Sequence, residues 1–207
     1  TTDKKIFYSL DSDEMNLEYK KPIEIGYSTT IKAAVFNAEN KKLGSIYSQK
    51  IKLHKAVGAN ISLNVQPNKA YNAGGTQALI NGISGNNKRY GDSEWLGFSG
   101  DDLEITIEFD KPTEINSIST RFHNGNGQWI YAPEEIGFSF LLEDGKTIND
   151  IRLIKNRDSL LVNYHYKIEP IKVSKIEIII KNFGKIPEGK QGAGHKAWTF
   201  IDEIVVE

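Results

Sequence analysis

The sequence predicts an all-β protein made of two successive β-sandwiches, and three observations carry that prediction. Leu103-Glu104-Ile105-Thr106-Ile107-Glu108-Phe109 alternates apolar and polar residues at period two, the pattern of a half-buried strand. Glu143-Asp144-Gly145-Lys146 places an Asp-Gly turn directly after Phe138-Ser139-Phe140-Leu141-Leu142, a strong hairpin cue. No apolar pattern of helical period is sustained anywhere along the chain.

The elements follow in order. Ile6-Phe7-Tyr8-Ser9-Leu10 reads as a first strand, closed by the polar turn Asp11-Ser12-Asp13-Glu14. Pro22-Ile23-Glu24-Ile25, Thr30 to Phe36 and Ser45 to Lys50 complete a small unit over residues 1–54. A unit of this size buries little surface by itself and leans on a neighbour for stability. The junction is expected across Lys52 to Gly58, and residues 55–207 suit one larger sandwich. Its strands are expected at Leu103 to Phe109, Ile115 to Phe122, Gly137 to Leu142, Asp150 to Ile154, Lys175 to Lys181 and Phe200 to Val206.

Composition narrows the function. With 26 basic against 27 acidic residues, the chain lacks the basic excess that nucleic-acid binding uses to displace counterions. No apolar run approaches the roughly 18 residues of a membrane-spanning helix. Absence of cysteine removes disulfides, thiolate zinc sites and cysteine nucleophiles. The chain opens on Thr1-Thr2-Asp3-Lys4-Lys5, which reads as a segment cut from a longer protein, so the lack of a leader is uninformative.

Catalytic constellations are not evident. The adjacent pairs Asp101-Asp102, Glu134-Glu135 and Asp202-Glu203 are the candidates for acid–base work on a glycosidic bond. Neighbouring residues of a strand point to opposite faces, so Asp202 and Glu203 are not expected to serve one site. The histidines (His54, His123, His165, His195) lie outside any Gly-x-Ser-x-Gly elbow and lack zinc-ligand spacing. Gly184 to Gly194 lacks the Gly-Lys-Ser/Thr ending of a phosphate loop.

Two stretches carry a resemblance. Ile6-Phe7-Tyr8-Ser9-Leu10-Asp11 with Tyr27-Ser28-Thr29-Thr30-Ile31-Lys32-Ala33 resembles the small, Ig-like C-terminal domain of chitobiases and β-hexosaminidases, with Ser12 where that family has a turn glycine. Ala78-Leu79-Ile80-Asn81-Gly82, Arg89-Tyr90-Gly91-Asp92 and Trp95-Leu96-Gly97-Phe98, with the ending Phe200-Ile201-Asp202-Glu203-Ile204-Val205-Val206, resemble a discoidin-type domain. That second domain is similar to carbohydrate-binding module family 32, a galactose-binding-like jelly roll. Together the matches look like the tail of glycoside hydrolase family 20 enzymes from gut Bacteroidetes. The resemblance implies a chitobiase-like domain over 1–54 and a discoidin-like domain over 55–207. It implies a periplasmic, cell-surface or secreted location, and a parent catalytic domain as partner.

The same resemblance implies structural calcium tying the loop after the first strand to the last strand. Its expected ligands are Asn81, where the family has Asp, with Glu203 and Asp92 or Ser93, completed by carbonyls around Ala78 and Ser84. Either Asn81 contributes to that shell, or it bonds its own turn and Glu203 is exposed.

Sugar recognition asks for an aromatic platform with a few fixed polar groups on loops of a rigid scaffold. Residues 88–95, 123–131 and 194–198 supply that mixture. Trp129, Tyr131, His123, Asn126, Arg89, Tyr90 and His195 are the candidate carbohydrate-binding residues, with N-acetylglucosamine- or galactose-type glycans as ligands. Trp129 follows two glycine-containing turns and is expected near a loop tip, whereas Trp95 and Trp198 read as core. Arg89 either meets the ligand or anchors its loop on Asp92. The expected function is non-catalytic carbohydrate binding that targets a glycoside hydrolase. The alternative is a structural module that packs on the catalytic barrel or mediates oligomerisation.

Overall fold

A computed structural model describes residues 4–72 and 74–207. The opening Thr1-Thr2-Asp3, used above to read the chain as a cut segment, lies outside the described residues. The architecture is all-β and antiparallel, and the chain divides into two compact units, Thr1–Leu53 and His54–Glu207.

The first unit is a four-stranded sheet in the order β2-β1-β3-β4. Its strands are β1 (Lys5–Leu10), β2 (Leu17–Glu18), β3 (Thr29–Phe36) and β4 (Lys42–Ile51). Asp11, in the left-handed region at φ 51°, fastens the first turn to β3. Its carboxylate accepts from the Thr30 amide at 2.7 Å and the Thr29 hydroxyl at 2.8 Å, and these bonds hold its pKa below the ordinary value. Where two facing sheets and a strand at Pro22 to Ile25 were expected, the described residues form this one sheet, and Pro22 to Ile25 is unpaired. Proline brings no N–H to a ladder, which disfavours pairing there.

The second unit contains β5 (Asn60–Leu63), a 3-10 turn (Thr76–Ile80), β6 (Leu96–Ser99), β7 (Leu103–His123), β8 (Glu135–Leu142), β9 (Thr147–Leu153), β10 (Leu161–Ile180), β11 (Trp198–Ile201) and β12 (Val205–Val206). The main strand order is β6-β11-β7-β10-β8-β9, with β5 and β12 also paired to β7. Two strands of the expected set, 103–109 and 115–122, are halves of the single long β7. The first half of β10 and all of β5 were not read from the sequence, and the expected closing strand is split into β11 and β12 at Asp202-Glu203-Ile204.

Proline explains why β7 reads as two pieces. The β7–β10 ladder jumps from Glu108 to Thr113 on β7 and from Lys167 to Ile171 on β10. Pro112 and Pro170 fall in those gaps, where a missing N–H removes no ladder bond. The irregularity also lets both halves of β7 face a shared interior. Leu103, Ile105 and Ile107 from one half and Ile115, Ile118 and Phe122 from the other join a single core with Phe138, Phe140, Ile176 and Ile178. Each such side chain contributes roughly 1.5–3 kcal/mol on burial.

One glycine sets the approach of the last strands. Gly97 on β6 lies opposite Phe200 on β11, and a Cβ at Gly97 would stand 2.6 Å from the Phe200 ring. Gly97→Ala is therefore expected to destabilise the unit by about 1–3 kcal/mol through overpacking. Urea denaturation followed by tryptophan fluorescence checks it.

Candidate functional site

One end of the second unit gathers aromatic side chains from four segments. Tyr71 and Tyr90 lie 6.0 Å apart, Tyr71 meets Trp198 edge-on at 5.7 Å, and Phe200 underlies both tyrosines at 4.9 and 5.2 Å. Tyr71, Tyr90 and Trp198 are partly exposed over the buried Trp95, Ile130 and Phe200. The segment carrying Trp129 joins this rim through the backbone: the Trp198 amide donates to the Trp129 carbonyl at 2.8 Å and the Tyr131 amide to the Trp198 carbonyl at 3.0 Å.

Trp129 closes the short turn Asn126–Gln128 in the left-handed region, at φ 65°. Its ring stacks on the exposed His195 at 4.8 Å and is itself half-buried rather than free at a loop tip. Gly192 makes room beneath it, since a Cβ there would lie 2.4 Å from Trp129 Nε1. Trp95 is fully buried, as read, and its Nε1 donates to the Asn86 carbonyl at 3.1 Å. Trp198, expected in the core, is half-buried and packs against the Trp95, Ile130 and Phe200 cluster at the rim. Tyr71 was missed, because an isolated tyrosine after Pro67-Asn68-Lys69-Ala70 gives no pattern by itself.

The remaining candidates sort cleanly. Arg89 is exposed and makes no hydrogen bond or ion pair among the described residues, so it is not anchored on Asp92. Asn126 turns its amide back onto Asn124 Oδ1 at 3.0 Å and the Ile130 carbonyl at 3.1 Å, a turn role. Tyr131 is buried and stacks on Phe183 at 4.6 Å, which takes it off the surface. His123 is only 2% exposed, lies edge-on to Tyr90 at 5.3 Å and Trp95 at 5.7 Å, and among the described residues neither ring nitrogen has a hydrogen-bond partner.

The three expected calcium ligands are close in the fold, but their oxygens are occupied by N–H donors. Glu203 is buried and accepts from the Gly82 amide at 2.9 Å, the Ile83 amide at 3.2 Å and His54 at 2.6 Å. Asn81 accepts from the Ile83 amide at 2.8 Å and donates to Glu94 at 3.0 Å. Asp92 accepts from the amides of Asn86 and of Glu94, the latter at 3.0 Å. Among the described residues no three His, Cys, Asp or Glu side chains gather as a metal site requires. A hard cation needs six to eight oxygens turned toward one point, and this donor set does not fit it. The neighbouring Asp202 takes Arg121 Nε at 3.0 Å and the Gly85 amide at 2.9 Å, so the paired acids meet different partners. Burial pushes the Asp202 carboxyl up, against the opposing pull of Arg121.

Several hollows lie away from the aromatic rim. One of about 840 Å³ in the first unit is lined by Tyr8, Glu18, Lys20 and Lys21. Glu18 there already pairs with Lys20 and Lys5. With Tyr8 as its single aromatic side chain among long charged ones, it is a poor site for a sugar ring.

No protein family matches the chain, and no curated protein does. Among solved structures, the chain is similar to a pectin-binding carbohydrate-binding module at 10% identity, covering 75% of this chain and 92% of that one, with a TM-score of 0.42. It is similar to the lectin domain of lectinolysin complexed with Lewis B antigen at 11% identity, covering 73% and 94%, with a TM-score of 0.45. A Streptococcus pneumoniae fucose-binding module is similar at 12% identity, covering 75% and 97%, with a TM-score of 0.47.

Burial holds the His123 imidazole below its ordinary value of 6.5. The unfolded chain then takes up the proton more readily than the folded one. The stability tied to His123 is complete above pH about 6.5 and falls as the pH drops below that value. A proton NMR titration is expected to place the His123 ring midpoint below 6.5.

Proposed function

We propose that the second unit binds carbohydrate at the aromatic rim and does not cleave it. The observation that carries this reading is the convergence of the partly exposed Tyr71, Tyr90 and Trp198, beside the Trp129–His195 stack, with the exposed Arg89 next to Tyr90 in the chain. Aromatic faces match the apolar C–H face of a pyranose, and Arg89 and His195 offer donors for its hydroxyls. Partly exposed rings offer a small contact area, so modest affinity is expected. The motif resemblance supports N-acetylglucosamine- or galactose-type ligands, a discoidin-like identity for this unit and a chitobiase-like one for the first. It likewise supports a role as accessory region of a β-N-acetylhexosaminidase acting in the periplasm, at the cell surface or after secretion.

Glycan-array binding followed by calorimetry tests the reading. Tyr90→Ala and Trp198→Ala are each expected to weaken binding about tenfold, the loss of one well-packed aromatic contact. Wild-type protein that retains no glycan on the array overturns it.

A second reading applies to the first unit, where Tyr47 (60%), Tyr27 (55%) and Ile46 (43%) are exposed. An apolar surface of that kind suits packing against the parent catalytic domain. In the full-length enzyme, Ile46→Ser with Tyr47→Ser is expected to lower the melting temperature of the catalytic domain and leave glycan retention unchanged.

A further inference from the structure

We infer that the segment closing this chain is clamped to the 81–85 loop without a metal ion, with His54 standing where a structural cation would otherwise bridge Glu203 to that loop. His54 and Glu203 have side chains 0% and 2% exposed, so solvent does not dilute their contact. The hydrogen-bond pattern assigns the ring's hydrogen. Nδ1 faces the amides of Ala56 at 3.3 Å and Val206 at 3.4 Å and accepts from them. The N–H is therefore on Nε2, which donates to Glu203 Oε1 at 2.6 Å.

Glu203 thus meets three N–H donors: His54 and the amides of Gly82 and Ile83. Three such bonds satisfy a buried carboxylate as a cation would, and they are stronger for being charge-assisted. A calcium ion about 2.3–2.6 Å from the same oxygens would face the positive ends of those N–H groups. The adjacent residue repeats the device, since Asp202 takes the Gly85 amide and the guanidinium of Arg121, whose Nη2 also donates to the Gly85 carbonyl at 2.8 Å. The Ile204 amide donates to the Leu79 carbonyl at 2.6 Å and extends the seam by backbone alone. The loop that leads to Arg89 and Tyr90 is therefore rooted by protein donors at every one of these contacts.

Melting of the whole chain in excess EDTA and in excess calcium tests the inference first. The two melting temperatures are expected to agree within about 1 °C. A rise of about 5–10 °C with calcium, the shift that a specific site gives at a hundredfold excess of ligand, overturns it. His54→Ala provides the second arm, read by amide hydrogen exchange. Exchange at Gly82 and Ile83 is expected to quicken by about tenfold or more while amides of β8 and β10 keep their protection, with calcium giving no rescue. Unchanged exchange at Gly82 and Ile83, or protection restored by calcium, overturns the inference. Should His54→Ala fail to fold, the wild-type melting in EDTA and in calcium decides independently.

Discussion

The antiparallel ladder between β7 and β10 is the constraint on which the second unit rests. β5, β11 and β12 pair with β7, and β8 pairs with β10, so these strands take their register from those two. A ladder of this length must bend if its two halves are to face one interior, because a straight sheet leaves one apolar face in water. The register shifts around Pro112 and Pro170 provide the bend. The core that follows is a consequence of pairing as much as of hydrophobicity, since Ile107 and Ile118 come to one cluster only through that geometry.

Much of this was legible because strand alternation is a local signal. The run Leu103 to Phe109 and the Asp-Gly hairpin after Leu142 each state their own geometry within a few residues. The continuity of β7 was not legible, because Pro112 is a strand breaker unless it falls in a gap of the ladder, and the gap depends on β10, far along the chain. The same holds in the first unit, where Pro22 to Ile25 has strand composition but no pairing.

At the candidate site, residue type was legible and orientation was not. Trp95 and Trp198 have similar surroundings in sequence, yet one is fully buried and bonded to the Asn86 carbonyl while the other lies partly exposed on β11. Tyr131 and His123 have suitable chemistry for a sugar but are sealed by Phe183 and by Tyr90 with Trp95. Glu203 shows the difficulty most sharply. A carboxylate near a loop has the same appearance in sequence whether a cation or three N–H groups will satisfy it, and His54 lies far away along the chain.

The division of polar groups between interior and rim follows from their solvation. A buried carboxylate left without donors is costly, so Asp202 and Glu203 draw in the nearest amides and, with Arg121 and His54, fix the backbone that supplies them. Groups bound in this way cannot answer a ligand. Arg89, at the far end of the same loop, has no such obligation and keeps its donors in water. A rim assembled from partly exposed aromatics and one unengaged guanidinium, on a loop held from beneath by buried acids, is organised before any ligand arrives.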